Sequence, residues 1–183
     1  MDDPKTVRST RMTAGEVGRT IRRLAIELVE QLGDPTEFVL VGIVTGGASL
    51  AQRLADEIQS AEGTRPTVGS VDITLYRDDL YTGFEKPVLG HTELPFAVSG
   101  SGIVLIDDVL FTGRTVRAAL DELWDYGRPA WIKLAVLVDR GHRELPIAAD
   151  FVGRRLSTER SDQVVVDFDA DGGVTILSAP GAH

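Results

Sequence analysis

The residues best suited to chemistry are two adjacent carboxylates followed by a small hydroxylic turn. They lie in Ile103-Val104-Leu105-Ile106-Asp107-Asp108-Val109-Leu110-Phe111-Thr112-Gly113-Arg114-Thr115, an apolar strand that runs into acids and then opens a helix. Adjacent carboxylates at a strand's end can accept hydrogen bonds from neighbouring sugar hydroxyls, and their negative potential favours a developing cation and a magnesium ion. The turn from Thr112 to Thr115 offers backbone N–H groups, two hydroxyls and the positive end of a helix dipole, a cradle for a phosphate monoester. Gly113 permits close backbone approach.

These residues need a scaffold that sets strand ends beside helix starts, and the hydrophobic pattern supplies one. Thr13 with Glu16 has the form of a capping box, and Val17, Ile21, Leu24, Leu28 and Leu32 follow at helical spacing until Gly33 and Asp34-Pro35 stop the helix. Phe38 to Val44 is a nearly continuous apolar run, as expected of a strand covered on both faces, and Thr45-Gly46-Gly47 separates it from a second helix that buries Leu50, Leu54 and Ile58. Val71, Ile73 and Leu75 alternate as a strand that gives way to a charged stretch, Tyr76 to Glu93, read as a mobile loop. Ile103 to Ile106 is a buried strand, Thr115 to Tyr126 a helix, and Trp131 to Val138 a further strand. Two short strands, Gln163 to Phe168 and Val174 to Leu177, form a hairpin around Asp171-Gly172-Gly173. The expected fold is therefore α/β: a central, mostly parallel sheet flanked by helices, with a small C-terminal hairpin as a hood. Residues 1–183 are expected to form one domain.

Composition narrows the function. The chain has no cysteine, which excludes disulfides and thiolate metal sites and points to a reducing, cytoplasmic setting. Its polar beginning is unlike a signal peptide, and no apolar run has membrane-spanning length. The three histidines, His91, His142 and His183, lack metal-ligand spacing. A net charge of −9 opposes indiscriminate attraction to nucleic acid. Arg19, Arg22 and Arg23 do share one helical face, and they read either as a solvated stripe or as contacts for RNA phosphates.

The stretch from Ile103 to Thr115 resembles the signature of the type I phosphoribosyltransferases. Two further stretches, Asp72-Ile73-Thr74-Leu75-Tyr76-Arg77-Asp78-Asp79-Leu80 and Leu134 to Pro146, resemble one branch of that family, the bifunctional pyrimidine operon regulators with uracil phosphoribosyltransferase activity. The resemblance runs from about Arg19 to about Val166. It implies that uracil and 5-phosphoribosyl-1-pyrophosphate (PRPP) become UMP and pyrophosphate, with magnesium carried on substrate oxygens. It also implies that Asp107 and Asp108 hold the ribose hydroxyls, that Thr112 to Thr115 hold the 5′-phosphate, and that Thr45-Gly46-Gly47 forms the pyrophosphate loop. Arg77 would bring a cation to pyrophosphate from the closing loop, and uracil would sit under the hairpin near Val138, Asp139 and Arg140. The branch further implies dimers or larger homo-oligomers and binding of a pyrimidine-operon leader RNA, for which Arg19, Arg22, Arg23, His142 and Arg143 are candidates.

Three positions depart from the family pattern. Its pyrophosphate loop usually reads Thr-Arg-Gly, so Gly46 removes a cation, and lower transferase activity is the expectation. A histidine of the first helix is replaced by Ile26, and a basic residue after Pro146-Ile147 by Ala148. Both belong to the family's RNA-binding face. Two other readings therefore stand beside the uracil enzyme: a nucleotide-sensing RNA regulator with little transferase activity, and a transferase for another base.

Overall fold

The computed structural model describes residues 7–74, 91–169 and 173–178. Its order is β1 (Val7–Thr13), α1 (Ala14–Leu32), β2 (Phe38–Ile43), α2 (Gly46–Glu62), β3 (Thr67–Val71), β4 (Gly102–Leu110), α3 (Arg114–Tyr126), β5 (Trp131–Asp139), β6 (Phe151–Arg155), β7 (Gln163–Val166) and β8 (Gly173–Ser178). The central sheet has five strands in the order β3-β2-β4-β5-β6, and every pairing in it is parallel. Parallel strands need crossovers, and α2 carries the one from β2 to β3 and α3 the one from β4 to β5, on opposite faces. Successive residues of one strand divide between those faces: Leu40, Val104, Ile106, Ala135 and Leu137 pack with α1 and α2, whereas Val41, Ile103, Leu105 and Val136 pack with α3. That is why the central strands read as unbroken apolar runs.

The first helix is capped as its sequence predicts. Glu16 N–H donates to Thr13 Oγ1 at 3.3 Å, and Thr13 N–H donates to Glu16 Oε2 at 2.9 Å. Its buried side is Val17, Ile21, Leu24, Ala25 and Leu28. The hairpin also forms, as β7 and β8 in antiparallel register. It is not alone, because β1 pairs antiparallel with β8 to make a three-stranded sheet. Buried Met12 and Val174 seat that sheet on the α1 and α2 side of the core.

Four expectations are corrected. The strand over Val71, Ile73 and Leu75 ends at Val71, because Asp72 Oδ1 accepts from Thr74 N–H at 2.8 Å and turns the chain. Ile73 is buried without strand pairing, and Leu75, Arg77 and the loop as far as residue 90 lie outside the described residues. Gly46 and Gly47 are not a spacer before α2 but its first turn. The strand placed at Ile103–Ile106 runs on to Leu110, because β5 continues its ladder through Asp107↔Val136, Val109↔Val138 and Leu110↔Asp139. Finally, β1 and β6 are strands that hydrophobic periodicity did not reveal. Among the described residues no helix is long and apolar enough to cross a membrane.

The edge strand β6 is anchored by Phe151, which is fully buried and pairs with Ala135. Phe151→Ala should lower unfolding stability by about 3–5 kcal/mol, measured by urea denaturation. A loss under about 1 kcal/mol would mean that β6 adds little to the core.

Candidate functional site

The crossovers of this sheet reverse between β2 and β4. From β2 the chain passes through α2 to β3 on one side, and from β4 it passes through α3 to β5 on the other. The crevice outside the carboxyl ends of two such strands is where open α/β sheets collect ligands. Here the β2–β4 ladder ends at Gly42↔Ile106, and the strands separate beyond it.

Asp107 and Asp108 stand at that parting, the first nearly buried at 6% exposure and the second partly so. Each carboxylate also steadies the local backbone: Asp108 N–H donates to Asp107 Oδ1, and Val109 N–H to Asp108 Oδ1, both at 2.9 Å. The start of α2 presses against the pair. A Cβ built on Gly46 would fall on the Asp108 carboxylate, and one on Gly47 would fall on the Ile106 carbonyl oxygen. Gly46 therefore does more than remove an arginine from the expected pyrophosphate loop, since its bare backbone gives the Asp108 carboxylate its place.

The turn after β4 lies beside the acids. Gly113 is the N-cap of α3 at φ 93, a left-handed conformation that glycine adopts without steric cost, and no side chain caps the helix. Thr112 Oγ1 accepts from Arg114 N–H at 3.3 Å, and Thr112 O accepts from Glu144 N–H and Leu145 N–H at 2.9 and 3.2 Å. The first turn of any helix carries N–H groups that its own carbonyls cannot reach. Two helix starts, those of α2 and α3, thus flank two carboxylates in one crevice. Such an arrangement can hold a polyanionic sugar phosphate by backbone dipoles while the acids face its hydroxyls.

The expected base-site residues have internal roles. Val138 is fully buried, and Asp139 Oδ1 accepts from Gly141 N–H at 3.0 Å while Oδ2 pairs with Arg143 at 2.6 Å. Arg140 is 5% exposed and donates to the carbonyls of Glu159 and Asp162. Burial pushes its guanidinium pKa down, with Asp162 opposing. Glu144 joins Arg114 on α3, at 2.7 Å, to Arg160 beyond β6. Hydrogen bonds from Arg114 and then Arg160 hold its carboxyl below the ordinary value.

The residues expected to meet RNA divide into two groups. Arg19, Arg22 and Arg23 do share the exposed face of α1, where with Ile26, Glu27, Glu30 and Gln31 they line a shallow cavity of about 600 Å³. Arg22 pairs there with Glu57 at 3.1 Å, and Arg23 with Glu27 at 3.3 Å and with carbonyls of β6. His142 and Arg143 line a different cavity. His142 Nε2 donates to Thr158 O at 2.7 Å, and Arg143 donates to the carbonyls of Phe111, Gly141 and Ile147. Both side chains are tied into the fold by these bonds. Reading by residue type did not find the roles of Phe111, Glu144 and Arg160, because nothing in their local spacing signals contacts made across 16 to 32 residues.

Fold and site together define an open α/β protein with two acids and two helix starts at the sheet's switch point. A phosphoribosyl transferase domain model matches residues 13–171. The bifunctional protein PyrR of Geobacter sp. strain M21 is 57% identical over 155 residues, 85% of this chain and 88% of that protein. The PyrR of Chloroflexus aurantiacus is 53% identical over 163 residues, 89% of this chain and 90% of that protein. In three dimensions the chain resembles a hypoxanthine phosphoribosyltransferase of Staphylococcus aureus, with a TM-score of 0.63 and 21% identity over 82% of this chain and 79% of that one, a likeness of fold. The chain belongs to the phosphoribosyl transferase family and, within it, to the bifunctional PyrR proteins.

The two glycines of α2 make separable predictions. Gly46→Ala meets only the Asp108 side chain, which must swing to another rotamer to clear it, so its melting temperature should stay within about 4 °C while donor affinity falls about tenfold or more. Gly47→Ala meets backbone instead and should cost about 1–3 kcal/mol of stability. Thermal melting and PRPP titration of both variants check the contrast.

Proposed function

We propose that the chain transfers the phosphoribosyl group of PRPP to uracil, yielding UMP and pyrophosphate, as one domain working in a homo-oligomer. The observation that carries this reading is the Asp107–Asp108 pair set between the starts of α2 and α3. In the reaction, uracil N1 bonds to the anomeric carbon as the bond from that carbon to the pyrophosphate oxygen breaks, and N1 releases its proton. The barrier falls when positive charge on the sugar and negative charge on the leaving group are both stabilised. Asp107 and Asp108 accept from the ribose hydroxyls and face the cationic sugar. Thr112 to Thr115 hold the 5′-phosphate, and the Thr45-Gly46-Gly47 backbone faces pyrophosphate, joined by Arg77 from the loop. The base lies against the backbone of Val138 to Arg140. Hard carboxylate oxygens at the crevice suit magnesium, which when bound on the donor's oxygens neutralises leaving-group charge.

A panel of radiolabelled bases with PRPP and magnesium decides the acceptor: uracil should be converted and hypoxanthine or guanine should not. Preference for a purine would sink the uracil reading. Asp107→Asn with Asp108→Asn should lower kcat/KM by about 10²–10³ while leaving the fold intact by circular dichroism. Activity within about threefold of wild type would remove the pair from the mechanism.

A second reading accompanies the first, because Arg19, Arg22 and Arg23 share one exposed face of α1 with Ile26, itself 48% exposed. That face would bind a structured pyrimidine-operon leader RNA, with UMP as effector. Replacing all three arginines by alanine should weaken RNA binding and flatten its salt dependence by about 0.7–0.9 in log–log slope for each lost contact, with transferase kinetics unchanged. Filter binding across a salt series, with a scrambled RNA as control, measures this. Selective, high-affinity binding that survives the triple substitution would place the RNA elsewhere.

A further inference from the structure

Phe111, in the turn beside the acids, is held from two sides. The Arg140 guanidinium stacks on its ring with Cζ 4.0 Å from the centroid, and Arg143 Nη1 donates to its carbonyl oxygen at 2.8 Å. The His142 ring meets the Phe111 ring edge-on at 6.0 Å. Arg140 reaches away from this turn as well, donating Nη1 to Asp162 O at 2.7 Å and Nη2 to Glu159 O at 2.8 Å. Residues 156–162 are further pinned by Leu156 N–H to Asp139 O at 2.9 Å and by the His142 bond to Thr158. They lead from β6 into the β7–β8 hairpin, and Leu156 N–H and Thr158 Oγ1 donate to the carbonyls of Asp139 and Arg140, in the proposed base subsite.

Arg140 is an expensive way to fill space. Its Nε has no hydrogen-bond partner, and a buried cation costs stability unless its donors are used. A leucine would pack against Phe111 without that cost. Only a planar fork can cover an aromatic ring with its face while its edge donates to two carbonyls of a separate segment, and lysine cannot substitute for it. The geometry joins the turn after β4 to the segment after β6 through one side chain.

We propose that Arg140 is a positioning residue of the transferase, which locks the donor-phosphate turn to the 156–162 segment through the Phe111 ring so that donor and base keep one relative geometry. This rests on the readings of Thr112 to Thr115 as the phosphate cradle and of Val138 to Arg140 as the base subsite. When the joint is loosened, each subsite must be ordered as its substrate binds, so both substrates bind more weakly.

The experiment measures kcat, KM for PRPP and KM for uracil in wild type, Arg140→Met, Arg140→Lys, Phe111→Leu and the Arg140→Met/Phe111→Leu double variant, with thermal melting of each. Arg140→Met should raise both KM values about tenfold with a smaller change in kcat. Arg140→Lys should recover neither. The double variant should be no worse than the poorer single variant by more than about threefold, since each single change already breaks the Arg140–Phe111 stack that links the two segments. Multiplicative effects, or a lowered melting temperature with both KM values unchanged, would overturn the proposal. Should the methionine variant not fold, the lysine variant decides, and wild-type KM values for it would also overturn the proposal. Gly113→Val separates this from failure of the underlying reading. If that variant keeps wild-type PRPP affinity, the phosphate cradle is wrong. If it loses affinity and the Arg140 variants do not, Arg140 alone is wrong.

Discussion

The chemistry of this molecule depends on the parting of β2 and β4 after Ile106. Up to that residue the two strands share a parallel ladder, and beyond it β4 continues only against β5. The separation follows from the crossovers, because α2 and α3 must pack on opposite faces of the sheet and leave the crevice open. Two glycines make the opening narrow rather than loose. Gly47 brings the first turn of α2 onto the Ile106 carbonyl, and Gly46 brings it onto the Asp108 carboxylate. Backbone dipoles and acids are thereby fixed within one packed core instead of being assembled by loops, and preorganised groups need no reorganisation when charge develops.

The cations around the crevice are mostly committed to structure. Arg143 spends its donors on three carbonyls and Asp139, Arg140 on two carbonyls and a ring, and Arg114 and Arg160 share Glu144. Arginine suits this work because its fork reaches several acceptors at once and keeps its charge. A count of basic residues therefore overstates the positive potential offered to a ligand. His142 and Arg143 illustrate the point: their types suit RNA phosphates, yet their contacts are internal.

What could be read from the sequence was whatever a local period or a contiguous motif encodes. The capping box at Thr13 and Glu16, the doubly covered strands and the hairpin each carry their signal within about ten residues. The signature from Ile103 to Thr115 kept its parts together, so acids and turn fall side by side in the fold as expected. Elements held by distant partners stayed hidden. The β1 segment Val-Arg-Ser-Thr-Arg-Met-Thr is polar, and its partner β8 lies at the far end of the chain. In β6, Phe-Val-Gly-Arg-Arg, Phe151 is the one fully buried residue, and an edge strand needs no alternation. The extent of β4 was misjudged for a related reason: polarity argues against a strand at Asp107-Asp108, but pairing with β5 overrides it.

On the proposed reading the crevice receives an anion through backbone N–H groups as well as through Arg77, and charge and geometry explain the backbone's share. The chain carries a net −9 and places two carboxylates at the mouth of the crevice, so a polyphosphate approaches against the field. Long cationic side chains would counter that field only by giving up rotamer entropy, and near Asp107 and Asp108 they would pair with the carboxylates that must face the sugar. Helix-start N–H groups have neither defect, because they are already ordered and too weakly charged to neutralise an acid beside them. They also sit close to the ligand, where salt screens them little, whereas the exposed arginines of α1 lie in solvent and are screened over about 8–10 Å. The two proposed sites thus differ in kind: the crevice offers a small anion fixed dipoles, whereas the α1 face offers a polyanion side-chain charge that salt screens.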